Sequence, residues 1–149
     1  MEYPESDDDD ALEPAGGQAR SLHAAGQDDA EQQFRALADA LPHGAWIARP
    51  DGQAAYYNQR WFDDTGLTLE QTKAGGWESV LRPEDARARL DRWRHALATG
   101  EGYEVEYRLR AADGAYRWRL ERATPVRAPD GRIIRWFVLC TDIDDQKRA

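Results

Sequence analysis

One cysteine, three histidines and many carboxylates are the groups in this 149-residue chain that could do chemistry. Cys140 stands alone, which excludes an internal disulfide and a thiolate metal cluster. The histidines, at 23, 43 and 95, have neither metal-ligand spacing nor a companion nucleophile. The carboxylates of Asp51, Asp113 and Asp130 each precede a glycine, where turn chemistry accounts for them. No phosphate loop or nucleophile–base pattern is present, so this chain is not expected to be an enzyme. Arginines cluster at 87, 89, 92 and 94 and again at 117, 119, 122 and 127. They read as solvated faces of an arginine-rich composition, and nucleic-acid binding is not expected. The remaining material with chemical potential is aromatic and aliphatic: Trp46, Tyr56, Trp61, Phe62, Trp77, Leu81, Trp93, Tyr107, Trp118 and Trp136. These residues either line a pocket for a small apolar or aromatic ligand or fill the core outright.

The elements that must position these rings are legible from periodicity. Tyr103 to Arg110 alternates apolar and charged residues without a fault, the period of a half-buried strand. Asp113-Gly114 supplies a hairpin turn, and a second strand follows from Ala115 to Val126, with Tyr116, Trp118 and Leu120 opposite Arg117, Arg119 and Glu121. Pro129-Asp130-Gly131 turns the chain into Ile133–Cys140, apolar on nearly every residue and so expected to be covered on both faces. Upstream, Gly44–Arg49 and Gln53–Tyr57 flank Pro50-Asp51-Gly52 as another hairpin. Asn58 is a good N-cap for a short helix carrying Trp61 and Phe62, closed by Gly66. Leu67 to Gly76 reads as broken helix or turn, and Trp77 to Leu81 as one more turn. One long helix runs from Pro83 to Thr99 and stops at Gly100, with Ala86, Leu90, Trp93 and Leu97 on one face.

The formal net charge of −8 belongs to the N-terminal segment. Residues 1–33 hold ten acids against Arg20 alone, whereas the remainder carries 18 acids and 19 bases. Residues 1–27 therefore read as a disordered acidic tail. An amphipathic helix is expected over 28–42, capped by Asp28 with Glu31, its stripe formed by Ala30, Phe34, Leu37 and Leu41 and its end set by Pro42. No run approaches the ~18 apolar residues of a membrane span and no signal peptide opens the chain, so a cytoplasmic protein without membrane insertion is expected.

In this order the residues resemble a PAS domain of the type that precedes bacterial signalling outputs. The carriers are Gly44-Ala45-Trp46, Asp51-Gly52 through Tyr57-Asn58, Gly76-Trp77 through Leu81, Pro83-Glu84-Asp85 and Trp93. They continue with Tyr103–Arg110, Asp113-Gly114, Arg117-Trp118, Pro125-Val126, Asp130-Gly131 and Thr141-Asp142-Ile143. Arg82 departs from the pattern, standing where the subgroup commonly has His. The resemblance implies an α+β fold: a five-stranded antiparallel sheet with short helices and one long helix on one face, over residues 43–142. It also implies a small cavity and a C-terminal signalling helix beginning at 143–149, which Asp142 can cap. Haem-binding members carry an axial histidine on the long helix facing the cavity, but His95 lies about 180° from the apolar stripe. Light-sensing members carry a mid-domain cysteine that this chain lacks. Haem and flavin-adduct chemistry are therefore not expected, and the cofactor stays unknown.

Strand Ile133–Cys140 needs cover on its outer face, and the helix over 28–42, from the same chain or a partner, is the available element. A homodimer through Phe34, Leu37, Leu41, Phe137 and Leu139 is expected, with the signal leaving through Asp142 and Ile143. The resulting expectation is a sensory and dimerisation module of a bacterial two-component protein, the sensor part of a histidine kinase. The alternative is a stand-alone small-molecule-binding protein. Because a linker normally continues where this chain stops, a sensor fragment is expected over a free-standing domain.

Overall fold

Three x-Asp-Gly tripeptides build the sheet. A computed structural model describes residues 18–149, with side chains from Asp29 onward; residues 1–17 of the expected acidic tail lie outside the described residues. In each tripeptide the Asp carboxylate accepts the N–H two residues on, at 3.0 Å from Gln53, 2.9 Å from Ala115 and 2.9 Å from Arg132. Gly52, Gly114 and Gly131 take φ of 95°, 90° and 91°, a region that a side chain makes costly. The flanking Arg49–Gln53, Ala111–Ala115 and Ala128–Arg132 backbone bonds make every loop three residues long. The loops join β1 (Gly44–Ala48) to β2 (Ala54–Tyr57), β3 (Tyr103–Arg110) to β4 (Tyr116–Arg127), and β4 to β5 (Ile133–Asp142).

All pairings are antiparallel and the strand order is β2-β1-β5-β4-β3, so β5 is the central strand of the five. The expected α+β architecture is the one found. α1 (Gln18–Ala40) precedes the sheet, and α2 (Gln59–Thr65), α3 (Leu69–Lys73), α4 (Gly76–Val80) and α5 (Pro83–Thr99) lie between β2 and β3. α6 (Asp144–Arg148) follows β5. Asn58 caps α2 by accepting from the Trp61 N–H, and Gly66 and Gly100 end α2 and α5 with φ of 75° and 80°. Asn58 also receives the Ala45 N–H and donates to the Ala38 and His43 carbonyls, tying α1, β1 and α2 together.

Register decides which residues face inward. Tyr107 pairs with Arg119 and Arg119 with Asp142; Val105 pairs with Glu121, Glu121 with Cys140 and Cys140 with Gly44. Tyr103 pairs with Ala123, Ala123 with Val138, Val138 with Trp46 and Trp46 with Tyr57. This face packs against α2, α4 and α5 through Trp61, Trp77, Val80 and Trp93, and five of the six tryptophans are buried here. At about 25 cal/mol/Å² over about 200 Å², each indole contributes up to about 5 kcal/mol.

The outer face of β1 and β5 is covered by α1 of the same chain. Phe34 and Ala38 pack on Ala45, Ile47, Tyr56, Phe137 and Leu139. Glu31 accepts from Arg135 at 2.7 and 2.9 Å, and the Tyr56 hydroxyl donates to Asp39 at 2.7 Å. β5 is thus covered on both faces, as its composition requires.

Several expectations need correction. The N-terminal helix begins at Gln18, so Asp28 falls inside it instead of capping it. Its packed stripe runs through Phe34 and Ala38, which leaves Leu37 on the flank, 54 % exposed. β4 presents Arg119 and Glu121 inward, with Trp118 on the opposite face. Arg89 and Arg119, expected on solvated faces, are 3 % and 5 % exposed. Ile133 packs with the inner core, while Tyr56 belongs to the outer face beside α1.

Candidate functional site

A carboxylate sits at the centre of the inner sheet face. Glu121 is fully buried on β4 and accepts hydrogen bonds from Arg89 Nε at 3.1 Å, Tyr103 at 2.5 Å and Tyr107 at 2.7 Å, with a long fourth from the Cys140 thiol at 4.0 Å. Arg89 reaches it from α5, four residues before Trp93 on the same helix face. The two tyrosines come from alternate positions of β3, which places them on one face. Cys140 lies 3.3 Å from the Tyr107 hydroxyl. A buried carboxylate is tolerable only with this density of donors.

Burial raises the Tyr103 and Tyr107 hydroxyls far above their ordinary value, and the Glu121 charge adds to it, so both remain neutral donors. Burial likewise pushes the Cys140 thiol up to about 12, with the Glu121 charge assisting. A thiol held protonated is a poor nucleophile and a slow reductant of peroxide.

Aromatic rings enclose the cluster. Arg89 Cζ stacks 3.7 Å from the Trp77 ring centroid and lies 5.8 Å from that of Trp46. Trp77 packs at 4.4 Å on Trp61 and edge-on at 6.4 Å to Tyr107; Trp46 lies 5.3 Å from Trp93 and 5.6 Å from Tyr57. Among the described residues, the Trp46 Nε1–H is buried without an acceptor.

Of the ten residues expected around a cavity, the structure brings Trp46, Trp61, Phe62, Trp77, Leu81, Trp93, Tyr107 and Trp136 together in one core. Tyr56 and Trp118 stand apart from it. Trp118 instead seats the C-terminal helix: Lys147 Nζ lies 4.6 Å over its ring and Arg108 Cζ 5.1 Å over it. Glu121, Arg89 and Tyr103 were absent from the expected set. The signal that locates Glu121 is the loop length, since a three-residue hairpin pairs Leu109 with Arg117 and so turns Arg119 and Glu121 inward. His95 is exposed on α5. Among the described residues, no group of three or more His, Cys, Asp or Glu could hold a metal ion, and no helix is long and apolar enough to cross a membrane.

The end of β5 is clamped by charge. Arg117 donates to Asp142 at 2.7 Å and lies 3.8 Å from both Asp144 and Asp145. Asp142 Oδ1 accepts the Asp144 N–H at 2.9 Å, although the N-cap position itself is Ile143 and has no side-chain cap. Asp144 accepts the Trp118 N–H and the Arg148 guanidinium, and the Ile143 N–H donates to the Trp118 carbonyl.

A family model described as the PAS fold matches residues 54–139. The chain belongs to the PAS family. This PAS domain is 37% identical over 131 residues to an uncharacterized protein, y4lL, of Sinorhizobium fredii, covering 88% of this chain and 16% of the relative. It is 29% identical over 128 residues to the peroxide stress-activated histidine kinase mak1 of Schizosaccharomyces pombe, covering 85% of this chain and 8% of the kinase. The chain thus spans under a fifth of the length of these curated relatives. Its fold is similar to that of the Rhodobacter sphaeroides LOV protein, with a TM-score of 0.62 and 20% identity over 78% of this chain and 68% of that one. A PAS domain is a sensory module and is not itself catalytic, and relatives of this one include histidine kinases.

Proposed function

We propose that this PAS domain senses the state of its buried core and relays it through α6 to an output such as a histidine kinase. The supporting observation is the path of β5. Its inner face carries Trp136, Val138 and Cys140 beside the Glu121 cluster, and its last residue, Asp142, is held by Arg117 against the start of α6. A shift of β5 by a fraction of a side chain cannot leave the Arg117 pairs unchanged, because packed cores rearrange between discrete arrangements. The proposed setting is a cytoplasmic homodimer of a bacterial two-component protein. The exposed Leu37 on α1, with Leu41 just beyond the end of that helix, supplies the partner surface, while Phe34, Phe137 and Leu139 pack beneath it within the chain. The reading as a stand-alone binding protein shares the same core and differs only in lacking an output.

The test is a fusion of the chain to a histidine kinase output. Arg117→Ala and Trp118→Ala are expected to change basal autophosphorylation and to speed amide exchange in α6 while the core stays protected. Unchanged kinase activity together with unchanged α6 exchange overturns the relay. Light scattering at several concentrations tests the dimer; Leu37→Glu is expected to shift it to monomer, and a wild-type monomer at all concentrations overturns it.

A further inference from the structure

Seven arginines stand on β3, β4 and β5, and six of them donate to a carboxylate or a backbone carbonyl. Arg110, the last residue of β3, is the exception: among the described residues it has neither an acceptor nor a ring partner. Its cross-strand neighbour Tyr116 already carries Arg82, whose Cζ lies 4.9 Å over the ring. The unmatched guanidinium lines a cleft of about 340 Å³ that opens to solvent beside α3 and α4. That volume falls at the low end of the roughly 300–1,000 Å³ of ligand pockets. The cleft lies on the outside of α4, which turns Trp77 and Val80 into the core and Ser79 into the cleft. Gly76 sets the start of α4 tightly against α3, since a Cβ there would stand 2.6 Å from the Gln71 carbonyl oxygen and 3.0 Å from Leu67 Cδ1. Beside it, a Cβ on Gly75 would meet nothing within 4 Å, so the open space reaches the backbone.

The lining selects the sign of a guest. Its apolar part is Leu67, Ala74 and the two glycines, and its polar part is dominated by donors. The Gln71 side-chain oxygen accepts the Thr68 N–H at 2.9 Å, which leaves the amide NH₂ to face a guest. Ser79 already donates to the Gly76 carbonyl at 2.7 Å. Glu70 and Glu78, on the same two helices, are not part of the lining, so a metal ion or an organic cation would meet no negative group. A guanidinium without a counter-ion next to an amide NH₂ favours an anion, and its planar fork matches a carboxylate.

We propose that this cleft binds a small aliphatic carboxylic acid as its anion, the carboxylate on Arg110 and the Gln71 amide and the short hydrocarbon chain against Leu67 and Ala74. Entry is direct, because Gln71, Ala74, Ser79 and Arg110 are all exposed. Arg110 follows Leu109, which bridges to Leu81 between α4 and α5, so a guest held here ties the helical layer to the edge strand. The site goes beyond the sensory reading: the relay through β5 uses neither α3 nor Arg110.

The experiment follows the backbone amides of Ala74, Gly75 and Gly76 in ¹H–¹⁵N spectra during titration with butanoate, butanamide and inorganic phosphate at constant ionic strength. Butanoate is expected to give saturable shifts centred on these amides. Butanamide, which lacks the charge, and phosphate, which lacks the chain, are each expected to bind about tenfold or more weaker. Arg110→Gln is expected to weaken butanoate by about tenfold or more, and Ala74→Leu to weaken it by filling the apolar end. Arg94→Gln, at an exposed position of α5 outside the cleft, is expected to leave binding unchanged. Unshifted amides elsewhere in each variant verify the fold. Butanamide binding as well as butanoate, or binding indifferent to Arg110, overturns the anion site. Phosphate binding as well as butanoate, or binding indifferent to Ala74→Leu, overturns the carboxylic acid as the guest. Strictly linear shifts, or an equal loss in Arg94→Gln, reduce the response to general charge screening and also overturn it.

Discussion

Glu121→Gln isolates the charge at the centre of the core. The substitution keeps the volume and one acceptor oxygen but removes the counter-ion from Arg89, whose side chain is 3 % exposed. Breaking a buried pair from one side costs about 3–5 kcal/mol, because the remaining charge stays uncompensated in low dielectric. The new amide also meets the Tyr103 and Tyr107 hydroxyls, which donate to Glu121 at 2.5 and 2.7 Å, with one acceptor where there were two. With a urea m-value of about 1–3 kcal/mol/M, the unfolding midpoint falls by about 2 M. Arg89→Met combined with Glu121→Gln removes both charges and is expected to recover most of that loss. Urea titrations followed by tryptophan fluorescence give the cycle directly, since Trp46 and Trp77 adjoin the pair. A coupling of about 2–4 kcal/mol between the two sites is expected. A Glu121→Gln midpoint within error of wild type at unchanged m, or strictly additive losses, refutes the account of a mutually dependent buried pair.

Asn58→Ala removes four hydrogen bonds, three of them buried, that join α1, β1 and α2, and thermal or urea unfolding is expected to show a loss of about 2–4 kcal/mol; a loss under about 1 kcal/mol contradicts that role. Cys140 is expected to resist alkylation by iodoacetamide in the folded protein at pH 8 and to react on unfolding, and rapid native labelling counts against its buried, raised thiol. At acid pH, burial raises the Asp142 and Asp85 carboxyls, but their bonds with Arg117 and Arg108 outweigh it; the Trp118 N–H, with Arg148, lowers Asp144. These groups ionise below 3.8 when folded, so their contribution is complete above the ordinary carboxylate range and is lost as pH falls through the folded values. At alkaline pH the unfolded chain ionises Cys140 and the two tyrosines first, so stability is full below about pH 9 and declines above it. A melting temperature flat from pH 2 to pH 11 contradicts both statements.

The elements themselves were legible because each has a local cause. The three x-Asp-Gly loops, the Asn58 cap, the Gly66 and Gly100 stops and the alternation of β3 depend on residues close in the chain. The run of β5, apolar on nearly every residue, announced its central place, since only a strand with two covered faces can carry it. The phase of β4 was not local. Read as a two-residue turn, Asp113-Gly114 would pair Ala112 with Ala115 and set Leu109 opposite Trp118. The observed three-residue loop sets Leu109 opposite Arg117. One residue of register exchanges the faces of a whole strand, so Trp118 leaves the core for the C-terminal helix while Arg119 and Glu121 enter it. The N-terminal helix shows the same division. Its amphipathic character was visible, but which side packs was settled by where β1 and β5 lie, and Leu37 was left outside. The sequence by itself therefore determined the strands, the long helix and an aromatic core. Tertiary structure decided that this core is built around a charge pair, because burying Arg89 and Glu121 is tolerable only once α5 and β4 bring them within 3.1 Å.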